Sequence, residues 1–220
     1  MIKAMIFDLD GTIGNTVPLC IAAFRKSINP FMKRNISDEE IIDTFGPSEE
    51  GTIKALIPEH YEDGIKHYLY YYKELHKECP RAFDGIVEII RYLKKKGILV
   101  SLVTGKGRKS VDITLERFGM IDLFEYIETG SISGNRKCEG INCVIEHLNI
   151  NPEEAYYIGD APNDIIASRD AGVGIISAAW ADNVCVEELK KLKPDKLFGT
   201  IKEFEEFCKL TIGLNTIKNI

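Results

Sequence analysis

Apolar and polar positions along the chain follow two different periods. Short, almost wholly apolar runs recur at residues 2–8, 98–104 ("ILVSLVT"), 154–160 ("EAYYIGD") and 173–178 ("VGIISA"). Runs of this length and composition predict strands buried on both faces. Between them the period lengthens. "DGIVEIIRYLKKK" (84–96), "RKSVDITLERFG" (108–119), "CEGINCVIEHLN" (138–149) and "APNDIIASRDAG" (161–172) carry apolar residues at helical spacing. "FEYIET" (124–129) predicts a short strand. "CVEELKKLK" (185–193) and "IKEFEEFCKL" (201–210) predict helices, with "DKLFG" (195–199) an edge strand between them. "LKKKG" at 93–97 is the charged last turn of a helix before a glycine cap. Strand–helix alternation with apolar strands implies an α/β fold, a parallel sheet covered by helices on both faces.

Residues 14–81 break this rhythm. They read as helix throughout, with Ser37 and Glu40 spaced as a capping box before "EEII". We expect an all-α insert at 14–81 between the first strand and the rest of the sheet, a core formed by 1–13 and 82–212, and a tail at 213–220. Tyr68, Tyr70, Tyr71 and Tyr72 are expected to pack a small helical core with their hydroxyls at its edge. His60, His67, His76 and His147 form no metal spacing and are read as unremarkable.

Composition narrows the class. The chain has 220 residues, 45% hydrophobic and 28% charged, as for an ordinary globular protein. A net charge of −6 and the lack of a long basic stripe argue against a nucleic-acid partner. No apolar stretch approaches the ~18 residues of a membrane span, and no secretory leader is expected. Six scattered cysteines without a C-x-x-C pair suit reduced, mostly buried thiols in a cytoplasmic protein. Cys138 and Cys143 are spaced wrongly for a zinc site. A monomer or small homo-oligomer is expected.

The chemistry is at the strand ends. The first strand runs into "DLDGT", placing Asp8 and Asp10 at the mouth of the core. Two carboxylates this close repel, and burying either unpaired is costly, so a positive group is expected between them. The second strand ends in Thr104 ("LVTGK") and another in Asp160 ("YYIGDAPND"). In open α/β sheets, ligands bind at the carboxyl ends of the strands, so three distant segments converge on one rim.

These residues carry a resemblance. "DLDGT", the Thr of "LVTGK", Lys137 and "GDAPNDI" resemble, in order, the four motifs of the haloacid dehalogenase superfamily. The spacing is similar to its phosphoglycolate phosphatase-like branch, which has a helical cap after the first motif. The resemblance covers residues 5 to about 207. It implies a Rossmann-like three-layer core with an inserted all-α cap. It also implies a Mg²⁺-dependent phosphatase acting on a small phosphorylated metabolite through an aspartyl-phosphate.

Carried over residue by residue, Asp8 would be the nucleophile and Asp10 the general acid and base. Asp8, the backbone carbonyl of Asp10 and Asp160 would hold Mg²⁺. Asp164, one helical turn beyond Asp160, would order the metal's surroundings or Lys137. Thr104, the amide of Gly105 and Lys137 would bind the phosphate. Arg136 competes with Lys137 for that place, and Lys137 is preferred on its spacing from the helix start. The chain departs from the family pattern in two places: Lys137 is followed by Cys138 where proline is common, and "IGNT" puts Gly14 and Asn15 at the cap hinge. Lys106 and Arg108 either add positive field at the rim or lie in a solvated loop. Specificity would come from cap loops around "FGPSEEG" (45–51). A β-phosphoglucomutase-like sugar phosphomutase is the alternative, and a non-catalytic binding protein a more distant one.

Overall fold

The computed structural model describes the backbone of residues 1–217 and the side chains of residues 1–212. In chain order the elements are β1 (Ala4–Phe7), then α1 (Val17–Ile28), α2 (Asp38–Ile42), α3 (Glu49–Leu56) and α4 (Tyr61–Leu75). There follow α5 (Ile86–Lys95), β2 (Leu99–Val103), α6 (Arg108–Phe118), β3 (Ile127–Glu128) and α7 (Lys137–Leu148). The chain ends with β4 (Ala155–Gly159), α8 (Pro162–Asp170), β5 (Gly174–Ala178), α9 (Val186–Lys191), β6 (Lys196–Phe198) and α10 (Ile201–Ile217). The last helix therefore runs on into the stretch read as a tail, whose final residues 218–220 lie outside the described residues.

The six strands form one sheet in the order β3-β2-β1-β4-β5-β6, and every pairing is parallel. Strand β1 is the pivot. Phe7 is in register with Leu102 on one side and Ile158 on the other. The chain builds outward from β1 through β2 and β3, then crosses back and builds the other way through β4, β5 and β6. The loops at the carboxyl ends of β1 and its two neighbours thus diverge and leave a crevice.

Alternation along β1 divides the core. Met5 and Phe7 pack one face with Ile86, Ile90, Leu102 and Phe204. Ala4 and Ile6 pack the other with Val144, Tyr157, Ile165 and Ile175. All four β1 residues are fully buried. Burial on both faces explains the unbroken apolar run. Helix α5 ends as the sequence predicts, on Lys94 and Lys95, with Gly97 at φ +77°. The strand predicted at 124–129 is reduced to Ile127 and Glu128, because it lies at the sheet edge and pairs in register only with Leu102 and Val103.

Residues 14–81 are helical as expected, and the Ser37–Glu40 capping box is formed. Their own core contains Ala23, Phe24, Ile28, Ile41, Ile53, Tyr68 and Tyr72. Tyr68 and Tyr72 are fully buried in it, while Tyr70 is exposed. The chain leaves and re-enters the sheet domain at adjacent points, where the amide of Phe83 donates to the carbonyl of Ile13 at 2.9 Å.

Two expectations are corrected here. Of the six cysteines only Cys20 and Cys208 are buried; Cys79, Cys138 and Cys143 are half-buried and Cys185 is exposed. Cys138 and Cys143 fall beside the stripe of Gly140, Ile141, Val144 and Ile145 that α7 turns inward. The second correction concerns His76, which is 1% exposed and joins cap to core. Its Nδ1 lies 2.8 Å from the carbonyl of Cys79 and its Nε2 3.0 Å from Thr114 Oγ1. The Tyr72 hydroxyl meets the same Thr114 oxygen at 2.8 Å. Burial pushes the His76 pKa down, so the ring is neutral. A carbonyl accepts only, so Nδ1 carries the proton. Nε2 then accepts from Thr114, and Tyr72 donates to Thr114. One core hydroxyl therefore satisfies two buried groups of the cap and its return linker.

Thr114→Val keeps the shape of this junction and removes its hydroxyl. It strands Nε2 of His76 and the hydroxyl of Tyr72. We expect a loss of about 1–3 kcal/mol of stability, read as a lower denaturant midpoint with unchanged secondary structure.

Candidate active site

The crevice holds a cavity of about 300 Å³ between the sheet and the helical insert. Its floor comes from strand ends. Asp8 follows β1, Thr104 and Gly105 follow β2, and Asp160 follows β4; all four line the cavity with Asp10 and Lys137. Its roof is the insert, through residues including Val17, Cys20, Phe24, Phe45, Glu49 and Tyr68. The topology therefore brings the sequence-predicted residues together; Asp164 alone of them does not line the cavity but contacts Lys137 from behind it.

Lys137 organises the floor. As the first residue of α7 it reaches 129 positions back along the chain, where its Nζ lies 2.6 Å from Asp8 Oδ2; it also bonds Asp164 Oδ1. Arg136, its neighbour, turns away and pairs with Glu128 at 3.0 Å. Carboxylate oxygens of Asp8, Asp160 and Asp164 all come within 4.8 Å of one another. Asp164 is fully buried, and its other oxygen accepts the amide of Ala161 at 2.9 Å, which ties the acid to the start of α8. Asp8 accepts the amide of Leu9 at 2.7 Å. Asp160 is held by the hydroxyl of Thr12 at 3.4 Å.

The electrostatics follow from crowding. Burial, opposed by Lys137 and reinforced by Asp164, raises the Asp8 pKa to about 6. Burial, then Asp164 and Asp8, hold Asp160 well above the ordinary carboxylate range. Burial works against the Lys137 charge, but Asp164 and Asp8 outweigh it and the amine stays cationic. One ammonium among three carboxylates leaves an excess of negative charge.

Asp10 stands apart from that cluster. One of its oxygens accepts from the Thr16 hydroxyl, and the other lies 3.3 Å from Lys106 Nζ. The sequence offered Lys106 as either a rim charge or part of a solvated loop; it is a buried charge that lines the cavity, not a solvated one. The residue is 4% exposed. Its Nζ contacts Glu49 Oε1 and Cys20 Sγ, each at 3.1 Å, and lies 4.5 Å from the centre of the Tyr72 ring. Burial opposes its charge, but Asp10 above all holds its pKa well above the ordinary lysine value. Burial and Asp10 push the Cys20 thiol up to about 12, so it stays protonated. Arg108 is exposed and pairs with Asp112 at 2.9 Å. Sequence reasoning missed Glu49, Thr16 and Cys20 as site residues; the stretch 45–51 was the available signal for Glu49.

The chain is similar in sequence and in fold to known proteins. Pyrophosphatase PpaX of Bacillus pumilus is 31% identical over 196 residues, covering 88% of this chain and 90% of that protein. A predicted phosphoglycolate phosphatase from Haemophilus somnus superposes with a TM-score of 0.72 at 22% identity, covering 96% of this chain and 98% of that one. CbbY from Rhodobacter sphaeroides, solved with phosphate, has a TM-score of 0.75 at 20% identity, covering 91% and 95%. At these identities the two structures speak for the fold. The sequence model of the haloacid dehalogenase-like hydrolases matches residues 5–178, so the chain belongs to that family of hydrolases.

Proposed function

We propose that this hydrolase is a Mg²⁺-dependent phosphatase that cleaves a small phosphomonoester through an aspartyl-phosphate on Asp8. The observation that carries the reading is the cluster of Asp8, Asp160 and Asp164 around Lys137 at the strand ends, beneath a cavity. The similarity to Pyrophosphatase PpaX supports phosphoryl chemistry.

The residues fit a hard divalent cation. All the proposed donors are oxygens: the carboxylates of Asp8 and Asp160 and the backbone carbonyl of Asp10. Gly11 has φ +73°, and a Cβ there would come within 2.1 Å of Asp160 Oδ2. The backbone after Asp10 thus lies against the Asp160 carboxylate, a close approach that only glycine permits. Bound Mg²⁺ would offset the excess negative charge and help a phosphate dianion approach the acids.

The chain's own residues then divide the work. Thr104, the amide of Gly105 and Lys137 bind phosphate oxygens and orient the ester. Asp8 attacks phosphorus and the bond to the leaving oxygen breaks, while Asp10 gives that oxygen a proton. Water next attacks the same phosphorus as Asp10 takes its proton. The bond to Asp8 breaks and phosphate is released. Thr16 and Lys106 fix the Asp10 carboxylate for both transfers. Asp164 anchors Lys137 beside Asp8.

Asp8→Asn is expected to lower phosphate release from p-nitrophenyl phosphate by ~10³-fold or more while preserving the fold by circular dichroism. Chelation with EDTA abolishes release and added Mg²⁺ restores it; activity that survives exhaustive chelation contradicts the proposal. Gly11→Ala forces Asp160 aside and is expected to weaken Mg²⁺ binding ~10-fold or more by calorimetry.

A further inference from the structure

Glu49 is the first residue of α3 in the insert, yet its carboxylate is spent on the sheet domain. Oε2 accepts the amide of Gly107 at 2.5 Å, and Oε1 meets Lys106 Nζ at 3.1 Å. The hydroxyl of Tyr68 donates to Oε1 at 3.4 Å. Glu49 is 6% exposed. Next to it the amide of Ser48 donates to the carbonyl of Ser131 at 2.8 Å, so the start of α3 is docked on the core.

This arrangement matters for what the cavity can accept. Among the described residues, its lining carries two ammonium groups, Lys106 and Lys137. Lys137 is taken by Asp8 and Asp164. Lys106 is taken by Asp10 and Glu49. The rest of the cap wall has apolar side chains at Val17, Phe24, Phe45 and Pro47 and neutral ones at Cys20, Thr52 and Tyr68, none of them cationic. A leaving group with its own negative charge would therefore meet the carboxylates of Asp10 and Glu49 with no spare cation. Desolvating that charge unpaired is strongly unfavourable, and like charges in contact reject a ligand.

We propose that Glu49 determines specificity by filling, with a carboxylate of the protein, the place beside Lys106 and the Gly107 amide where a second anion of a substrate would pair. The enzyme then selects phosphomonoesters whose leaving group is uncharged and partly apolar. This rests on the phosphatase reading above and narrows its substrate class.

The test compares 2-hydroxyethyl phosphate with 2-phosphoglycolate, two esters of similar size that differ by a carboxylate, with Mg²⁺ present. For the unmodified enzyme, kcat/KM is expected to be at least tenfold higher for 2-hydroxyethyl phosphate. Glu49→Gln keeps the shape and removes the charge, and is expected to shift that ratio tenfold or more toward 2-phosphoglycolate. Because both esters are measured on one preparation, the ratio does not depend on the folded fraction. If the variant does not fold, the unmodified enzyme's ratio decides alone. A preference for 2-phosphoglycolate in the unmodified enzyme, or an unmoved ratio in folded Glu49→Gln, overturns the inference and leaves the phosphatase reading intact. Failure to release phosphate from both esters and from p-nitrophenyl phosphate overturns both.

Discussion

The constraint on which this structure depends is the burial of several carboxylates at one edge of the sheet. Asp8, Asp160 and Asp164 are brought together by strands and a helix that are themselves fixed by core packing. Their mutual repulsion is relieved within the chain by one residue, Lys137, held between Asp8 and Asp164. The relief is incomplete: burial first, and the neighbouring acids after it, leave the Asp8 and Asp160 carboxyls raised above the ordinary range. On the proposed reading, a divalent cation would offset this residual charge and let a phosphate dianion approach.

The same logic is repeated one layer up. Lys106, buried at the cap–core junction, is balanced by Asp10 from the core and Glu49 from the cap. Its contacts tie the orientation of Asp10 to the position of α3. The Thr114 hydroxyl, shared by Tyr72 and His76, fixes α4 against α6 nearby. Cap and core are thus joined by buried polar groups whose bonds depend on close registration, rather than by apolar surface alone. Such contacts weaken steeply when geometry slips. The insert is therefore positioned by the same residues that shape the cavity.

Some of this was legible in the chain. The apolar runs gave the central strands because strands buried on both faces admit little else. Asp8, Asp160 and Thr104 could be placed on one rim because each ends such a run, and parallel topology sends those ends to the same edge. Choosing Lys137 over Arg136 as the floor cation needed only the start of α7. His76 was passed over because its partner Thr114 is 38 residues away, and isolated histidines are usually ordinary. The expectation of mostly buried cysteines failed at Cys79, Cys138, Cys143 and Cys185 because cysteine tolerates half-buried and exposed positions as well as the core.

Sequence by itself determined the sheet order's raw material, the helical character of 14–81 and the carboxylates at the strand ends, since these follow from local periodicity and chain direction. Only the tertiary structure decided the pairing of Lys106 with Glu49 and Asp10. Glu49 reads along the chain as an ordinary first-turn acid, and Lys106 as a loop lysine. What makes them a buried ion pair is the approach of segments 57 residues apart, which no local pattern encodes.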